Sequence, residues 1–248
     1  EYFWKNEGRG HWALAAPLFE GRGMTAFSGC LFDMDGLLLD TERQGMAVFA
    51  ALMAARGVPA AEAEAFYLTL VGTSIEHSKR SLRARYPQFD PAEIDAEWVR
   101  GIAEVAERGM PMRPRVAEVI PALARQGVPM AVVTNSSSAR AEEHLEAAGL
   151  GACFQAVLGR DRVPAPKPDP APYLTGAAVL GLPPEACAAF EDSDAGTRAA
   201  RAAGCATWQI PDLRPAGQAF PELGQRMARD LEQAVREAGF ALPGLAVS

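Results

Sequence analysis

Apolar residues recur along the chain with two different periods. A short apolar run spans residues 27–32 and ends at Asp33, a pattern typical of a buried strand that stops at a carboxylate. From residue 40 to about residue 112, apolar positions recur every three or four residues, as at Phe49 and Met53, which predicts helices and no strand. The first part of the chain therefore predicts one strand followed by a block of helices.

The rest of the chain, from about residue 113, alternates between strands and helices. The predicted strands are residues 128–134, 156–159, 186–190 and 206–210, and the predicted helices are residues 139–148, 170–180, 194–203 and 221–238. His144, in the middle of one of these helices, is expected to be solvated. Such alternation favours parallel strands joined by right-handed crossovers. The predicted fold class is therefore α/β, with a Rossmann-like parallel sheet core, helices on both faces and an inserted all-helical cap.

Domain boundaries follow from the same pattern. The expected units are an α/β core of residues 24–39 and 113–248, a helical cap of residues 40–112 and an N-terminal extension of residues 1–23. Met24 stands just before the first strand, which is why the preceding residues are left out of the fold. The cap would join the core through two connections, near Asp40 to Glu42 and near Met112 to Pro114, and these are the expected hinges.

The net charge and the spacing of the cysteines bear on the partners and the cellular location of the protein. The 248 residues include 24 Lys and Arg against 31 Asp and Glu, and the net charge of −7 weighs against nucleic acid or an anionic membrane as the main partner. No apolar run reaches the ~18 residues of a membrane span. The four cysteines show no Cys-x-x-Cys spacing, which indicates free thiols and a cytoplasmic location. The sequence does not indicate an oligomeric state.

Polar side chains follow three of the predicted strands, at the point where each strand ends. They are Asp33 and Asp35 after the first strand, Thr134 and Asn135 after the second, and Glu191 and Asp192 after a later one. Because open parallel sheets bind ligands at the carboxyl ends of their strands, we expect these side chains to share one site.

Four sequence segments together resemble a known family. They are Leu31–Gly36, Val133–Asn135, Lys167–Pro168 and Glu191–Ser193. Their order and spacing resemble the haloacid dehalogenase superfamily, in its subgroup with a helical cap (β-phosphoglucomutase and phosphoglycolate phosphatase-like), over residues 27–210. The resemblance implies a Mg²⁺-dependent phosphatase that hydrolyses small phosphorylated metabolites, sugar phosphates or phosphoglycolate-like, through an aspartyl-phosphate.

The resemblance also implies roles for the acidic residues. Asp33 would attack phosphorus, and Asp35 would protonate the leaving oxygen and later take a proton from water. Mg²⁺ would be held by Asp33, the backbone carbonyl of Asp35 and Asp192, with Glu191 either a direct ligand or a support. Asp194 is interpreted as the N-cap of the helix that follows.

The remaining candidates would contact the substrate. By resemblance, Thr134 and Asn135 would hold the phosphoryl group through the hydroxyl and backbone N–H groups, and Lys167 would stabilise its charge. Gly36 permits a close backbone turn at the same place. His77, in the expected cap, is a candidate substrate contact, with an ordinary exposed helix residue as the alternative.

Three other functions within the family are weighed against the phosphatase. A dehalogenase would lack the second aspartate and the metal, so Asp35 and Asp192 weigh against it. A β-phosphoglucomutase-type phosphosugar mutase typically carries a histidine and an arginine where this chain has Gly45 and Ile75, which favours water as the acceptor. A catalytically idle regulatory or interaction protein would be expected to lose the nucleophile, the lysine or the metal carboxylate, and all three types are present.

Overall fold

A six-stranded parallel sheet forms the centre of the protein. The structure, a computed structural model, describes residues 27–71, 75–214 and 218–245, so the expected extension at residues 1–23 lies outside the described residues. The strands are β1 (Gly29–Phe32), β2 (Met130–Val133), β3 (Ala156–Leu158), β4 (Cys187–Glu191), β5 (Ala206–Gln209) and β6 (Arg226–Met227). Their order is β3-β2-β1-β4-β5-β6, and every pairing is parallel. The predicted α/β class is confirmed.

Helices surround this sheet and fill the chain between β1 and β2. Within the described residues they are α1 (Thr41–Ala54), α2 (Ala60–Leu68), α3 (Ile75–Arg85), α4 (Pro91–Glu107), α5 (Val116–Arg125), α6 (Ser138–Ala147), α7 (Ala171–Val179), α8 (Asp194–Ala202) and α9 (Leu231–Glu237). None of these helices is long and apolar enough to cross a lipid bilayer.

Side chains of β1 alternate between two apolar clusters, one on each face of the sheet. Phe32 stacks on Phe190 with ring centroids 5.0 Å apart, in the cluster that contains residues of α5, α6 and α9. Leu31 belongs to the other cluster, with Tyr173 and residues of α8. Because both faces of β1 are buried, its run of apolar residues suits the middle of the sheet, and Asp33 directly after it is placed centrally.

Helices α1 to α4, here called the helical insertion, have an apolar core of their own. Phe49 of α1 and Ile94 of α4 are buried in it. Asp90 caps α4 as its sequence pattern predicts, since the Asp90 side chain accepts a hydrogen bond from the Ala92 N–H at 3.0 Å. The insertion therefore packs on itself as well as against the sheet domain.

Two adjacent connections join the helical insertion to the rest of the protein. Leu39 and Met112 form an antiparallel bridge between them. Arg43 of α1 donates to Oδ1 of Asp212 at 2.5 Å, and Arg113 forms an ion pair with the same oxygen at 3.0 Å. Asp212 follows β5 and its side chain is 1% exposed. A buried carboxylate of the core therefore pairs with an arginine at each of the two connections.

Two expectations for the C-terminal half are wrong. The segment 221–238 is not one helix but the short strand β6 followed by α9. Asp230 caps α9 by accepting from a backbone N–H at 2.8 Å, and Gly224 has a φ of 79°, so neither position continues a helix. His144 is 3% exposed rather than solvated, because it shares the buried face of α6 with Ala141.

Glu232 of α9 is buried between two cations. It accepts from Nε of Arg115 at 2.7 Å and from Nε of Arg236 at 3.0 Å. Burial alone would raise the pKa of Glu232. The hydrogen bonds and charges of the two arginines lower it by more than burial raises it, so the pKa lies below its ordinary value. A carboxylate of this kind contributes stability above its unfolded pKa of about 4.3, and the contribution is lost as the pH falls through the folded pKa.

We expect Glu232→Gln to lower the free energy of unfolding by about 1–3 kcal/mol at neutral pH, because it removes charged hydrogen bonds. The deficit should shrink as the pH falls below the unfolded pKa of about 4.3 and through the lower folded pKa of Glu232. Urea unfolding at neutral pH and across the acid range measures this. Glu142→Gln, which removes an exposed pair with Arg162, is the matched control and should cost less than about 1 kcal/mol. Equal deficits for the two variants at neutral pH would contradict the expectation.

Candidate active site

Asp33 lies at the centre of the strand ends. Its backbone N–H donates to the Phe190 carbonyl of β4 at 3.0 Å, and the residue is 6% exposed. Strands β2 and β4 flank β1 on its two sides. The side chains that end these neighbouring strands therefore converge on Asp33.

Lys167, from the loop between β3 and α7, reaches the same point. Its Nζ donates to Asp33 Oδ1 at 2.6 Å, to the Val133 carbonyl at 2.7 Å and to Glu191 Oε1. Burial lowers the pKa of Lys167, but the charges and hydrogen bonds of the two carboxylates raise it above its ordinary value. All three N–H donors of the ammonium are used, so Lys167 is a fixed cation between Asp33 and Glu191.

Glu191, the last residue of β4, is fully buried, and both of its carboxylate oxygens accept hydrogen bonds. Its Oε1 accepts from the Tyr173 hydroxyl at 2.5 Å as well as from Lys167, and its Oε2 accepts from the Ser193 hydroxyl at 3.1 Å. Gly196 of α8 leaves the space that this carboxylate fills, since a Cβ at that position would overlap it. The end of β4, the lysine loop and helices α7 and α8 thus meet at one carboxylate.

Three carboxylates lie together at this point. Oxygens of Asp33, Glu191 and Asp192 lie within 4.8 Å of one another. Burial raises the pKa of Asp33, Lys167 lowers it, and the neighbouring carboxylates raise it again, to well above its usual range. Burial and then the charges of Asp33 and Glu191 raise the pKa of Asp192 in the same way. Since hard divalent cations take carboxylate oxygens, and a cation would offset this repulsion, the residues present fit a divalent metal.

The Asp35 side chain takes a different direction, toward the loop after β2. Its Oδ2 accepts from the Ser136 hydroxyl at 2.8 Å and from the Thr134 hydroxyl at 3.2 Å. The backbone N–H of Ser136 donates in turn to Thr134 Oγ1 at 3.0 Å. Two hydroxyls therefore orient the Asp35 carboxyl, while its side chain stays apart from the three-carboxylate cluster.

Asn135 and Gly36 line the same edge of the sheet. Asn135 donates from Nδ2 to the Lys167 carbonyl at 3.2 Å and accepts at Oδ1 from the Lys167 N–H at 2.9 Å, so its side chain holds the lysine loop. Gly36 has a φ of 81°, and a Cβ there would lie 3.0 Å from Asp212 Oδ2 and closer still to Asp192. Both the backbone conformation and the lack of space require glycine at position 36.

The sequence also predicts a substrate contact at His77 and a helix cap at Asp194. His77 is exposed on α3, within the helical insertion, and its contact with substrate stays a prediction. The prediction that Asp194 caps α8 is wrong: Ser193 is the cap, accepting from a backbone N–H of the first turn at 3.0 Å. The Asp194 carboxylate instead accepts from Gln209 Nε2 at 2.9 Å and pairs with Arg214, because it begins the helix on the side next to β5.

Sequence reasoning missed Ser136, Tyr173 and Ser193, each of which hydrogen-bonds a predicted site residue. Ser136 lies two residues after Thr134, and this closeness in sequence could have indicated that Ser136 belongs to the site. Tyr173 gave no such signal, because a tyrosine on an apolar helix is usually a core residue.

Comparisons with known proteins identify relatives along most of the chain. Protein CbbY of Rhodobacter capsulatus is 31% identical over 220 residues, which are 78% of this chain and 97% of that protein. Fructose-1-phosphate phosphatase YqaB of Escherichia coli is 32% identical over 178 residues, 72% of this chain and 93% of that protein. The crystal structure of a HAD family hydrolase from Deinococcus radiodurans, with bound phosphate and sodium, is similar with a TM-score of 0.73 and 28% identity, covering 87% of this chain and 98% of that chain.

The fold and the site together define a parallel α/β protein with an acidic, lysine-bearing centre at its strand ends. The sequence model of the haloacid dehalogenase-like hydrolases matches residues 27–204. The chain belongs to that family, and the resemblance carried by its four motifs is confirmed. Because the family generally uses a divalent metal, the cluster of Asp33, Glu191 and Asp192 is the place in the described residues where one fits.

We expect Gly196→Ala to destabilise the protein by about 1–3 kcal/mol, the usual cost of overpacking, because the added methyl group displaces the buried Glu191 carboxylate. Urea unfolding measures the loss. Gly151→Ala is the control, since its Cβ would meet mainly the carboxylate end of the exposed Glu146 side chain, which can move away. The expectation fails if Gly196→Ala proves as stable as Gly151→Ala.

Proposed function

We propose that this protein is a Mg²⁺-dependent phosphatase that hydrolyses small phosphorylated metabolites through an aspartyl-phosphate on Asp33. One observation carries the proposal: Asp33 is bonded to Lys167 through Oδ1 at 2.6 Å, so a fixed cation lies beside a carboxylate at the centre of the strand ends. The relatives named above, which include a fructose-1-phosphate phosphatase, support a phosphomonoester as substrate.

In the first step, an Asp33 oxygen attacks phosphorus, forming a phosphorus–oxygen bond while the bond to the leaving alcohol breaks. Asp35 gives its proton to the leaving oxygen, and the hydroxyls of Ser136 and Thr134 hold Asp35 for this transfer. Lys167 and the backbone N–H group of Asn135 stabilise the charge on the transferring phosphoryl group. The product of this step is the alcohol and the aspartyl-phosphate.

In the second step, water attacks the phosphorus of the aspartyl-phosphate. Asp35, now a carboxylate, takes a proton from that water, and the bond from phosphorus to Asp33 breaks. Inorganic phosphate leaves, and both aspartates regain their starting states. The same carboxyl group therefore serves as acid and then as base.

The metal would be held by Asp33, Asp192 and the backbone carbonyl of Asp35, and we propose Mg²⁺ because its ligands are oxygens. When bound, Mg²⁺ supplies positive charge that offsets the negative charge of the phosphate and the carboxylates. The hydrogen bonds that Glu191 accepts from Lys167, Tyr173 and Ser193 favour a supporting role for it rather than direct coordination.

The helical insertion would act as the cap over this site, with the connections at Leu39 and Met112 as hinges. We place the enzyme in the cytoplasm, because the four cysteines are free thiols. Sugar phosphates and phosphoglycolate-like compounds are the candidate substrates.

The phosphosugar mutase is the second candidate function, and the surroundings of Gly45 weigh against it. A Cβ at position 45 would lie 3.0 Å from the Trp98 ring and closer still to the Tyr67 hydroxyl, so this chain has no room there for the mutase histidine. Trp98 is held in place by a hydrogen bond from Nε1 to the Gly45 carbonyl at 2.8 Å. Without that imidazole, water is the better acceptor for the phosphoryl group.

We expect Asp33→Asn to abolish phosphate release from p-nitrophenyl phosphate while leaving the fold intact, because the amide has the same shape but cannot form the acyl-phosphate. Excess chelator should abolish the native activity, and added Mg²⁺ should restore it. Circular dichroism checks the fold of the variant. Turnover by Asp33→Asn at the native rate would place the nucleophile elsewhere.

Product analysis separates the two candidate functions. Given glucose 1-phosphate, the native enzyme is expected to release inorganic phosphate and to yield no glucose 6-phosphate, because nothing at position 45 can assist return of the phosphoryl group to the sugar. Phosphorus NMR distinguishes these products. Isomerisation faster than phosphate release would show that the protein is a mutase.

A further inference from the structure

Asp212 lies beside the candidate metal site but outside the four motifs that carry the family resemblance. It comes shortly after β5, the strand next to β4 in the sheet. The Ile210 N–H donates to the Glu191 carbonyl at 2.7 Å, and Gln209 Nε2 donates to the Asp192 carbonyl at 3.2 Å. These bonds hold the segment that carries Asp212 against the end of β4, which carries Glu191 and Asp192.

One carboxylate oxygen of Asp212 is bound by two arginines. Oδ1 accepts from Arg43 at 2.5 Å and forms an ion pair with Arg113 at 3.0 Å. The Asp212 side chain is 1% exposed, so both burial and these two cations fix its position. Because both arginines bind the same oxygen, the other oxygen, Oδ2, is left for a different partner.

Oδ2 of Asp212 lies at Gly36, next to Asp192. A Cβ at position 36 would lie 3.0 Å from Asp212 Oδ2 and closer still to Asp192 Oδ2, so the two oxygens lie around one point. Asp212 Oδ2 is buried and has no hydrogen-bond partner among the described residues. The Gly36 N–H does not serve it, because that group donates to the Leu39 carbonyl at 2.9 Å.

Two carboxylates around one point need a hydrogen-bond donor or a cation between them. An ionised carboxylate only accepts hydrogen bonds, so Asp192 and Asp212 cannot satisfy each other. Within the described residues, Asp33, Glu191 and Asp192 form the group whose oxygens lie within 4.8 Å of one another, and Asp212 lies next to this group rather than in it. Mg²⁺ usually keeps several waters, whose O–H groups can donate to a carboxylate that does not touch the metal.

We propose that Asp212 is an outer-sphere ligand of the metal site: its Oδ2 accepts a hydrogen bond from a water molecule on the metal that Asp33 and Asp192 hold. This inference rests on the metal site of the proposed function. Asp212 is a positioning residue, because it acts on the metal through that water and through its negative charge. Arg43 and Arg113 orient it, so the two connections of the helical insertion hold a group of the metal site.

Metal binding in the absence of substrate tests this proposal. Mn²⁺ is the probe, because the electron paramagnetic resonance signal of the free ion measures unbound metal, and Mg²⁺ is measured by competition. Asp212→Asn is expected to weaken the binding of both ions about 10–100-fold, the usual loss when an outer-shell partner of a metal site is changed. The amide oxygen can still accept from both arginines, whereas the NH₂ group that replaces Oδ2 cannot accept.

Two further variants separate a metal role from a purely structural one. Glu232→Gln removes another buried carboxylate that pairs with two arginines, on α9, and should leave the metal affinity unchanged. Arg113→Gln removes one cation while Arg43 still holds Asp212, so the affinity should stay the same or increase, because a positive charge near the metal is lost. Circular dichroism checks the fold of each variant.

Native metal affinity in Asp212→Asn would overturn the inference and leave the metal site itself standing. Equal losses in Asp212→Asn and Arg113→Gln would also overturn it, because the metal would then respond to the connection rather than to the carboxylate. If Asp212→Asn does not fold, Arg113→Gln decides: retained or tighter binding supports the proposal, and weaker binding overturns it.

Failure of the proposed function is distinguishable from failure of this inference. A native protein that binds neither ion would overturn the metal site together with the inference. A native protein that binds the metal but releases no phosphate from p-nitrophenyl phosphate would overturn the phosphatase function alone, since metal binding is measured without substrate.

Discussion

The buried ammonium of Lys167 is the interaction on which the rest of the site depends. It joins the ends of β1, β2 and β4 by bonding to Asp33, the Val133 carbonyl and Glu191. Without this cation, the carboxylates would be buried next to one another with no compensating charge from the chain, a situation that costs several kcal/mol. The order of the strands, the loop held by Asn135 and the space left by Gly196 all serve to bring this one positive charge to the centre.

The roles proposed for Lys167 and Asp35 follow from their hydrogen-bond partners. Lys167 uses all its donors on neighbouring acceptors, so it can stabilise charge but does not move protons. Asp35 is held by two neutral hydroxyls instead, so no charged side chain is among its hydrogen-bond partners. Two carboxylates only two residues apart therefore differ in their electrostatic surroundings, because one is bonded to a cation and the other to hydroxyls.

Residues at strand ends were predictable from the sequence, whereas residues that meet them from other elements were not. Asp33, Thr134 and Glu191 follow apolar runs whose parallel pairing places them at one edge, so local pattern was sufficient. The packing of Gly196 against Glu191 joins two elements through space, and no local pattern encodes it. The helix predicted over residues 221–238 failed for a related reason, since β6 exists only through its pairing with β5.

Asp212 connects the helical insertion with the acidic cluster of the core. The groups proposed for phosphoryl transfer lie in the core, while Arg43 lies in the helical insertion and Arg113 in the connection that follows it. Asp212 Oδ1 binds Arg43 and Arg113, one from each side of the insertion, while Oδ2 has no hydrogen-bond partner among the described residues and lies toward Gly36 and Asp192. Any movement of the insertion must therefore break these ion pairs or displace the carboxylate beside the acidic cluster, so the position of the insertion and the charge beside Asp192 are physically coupled.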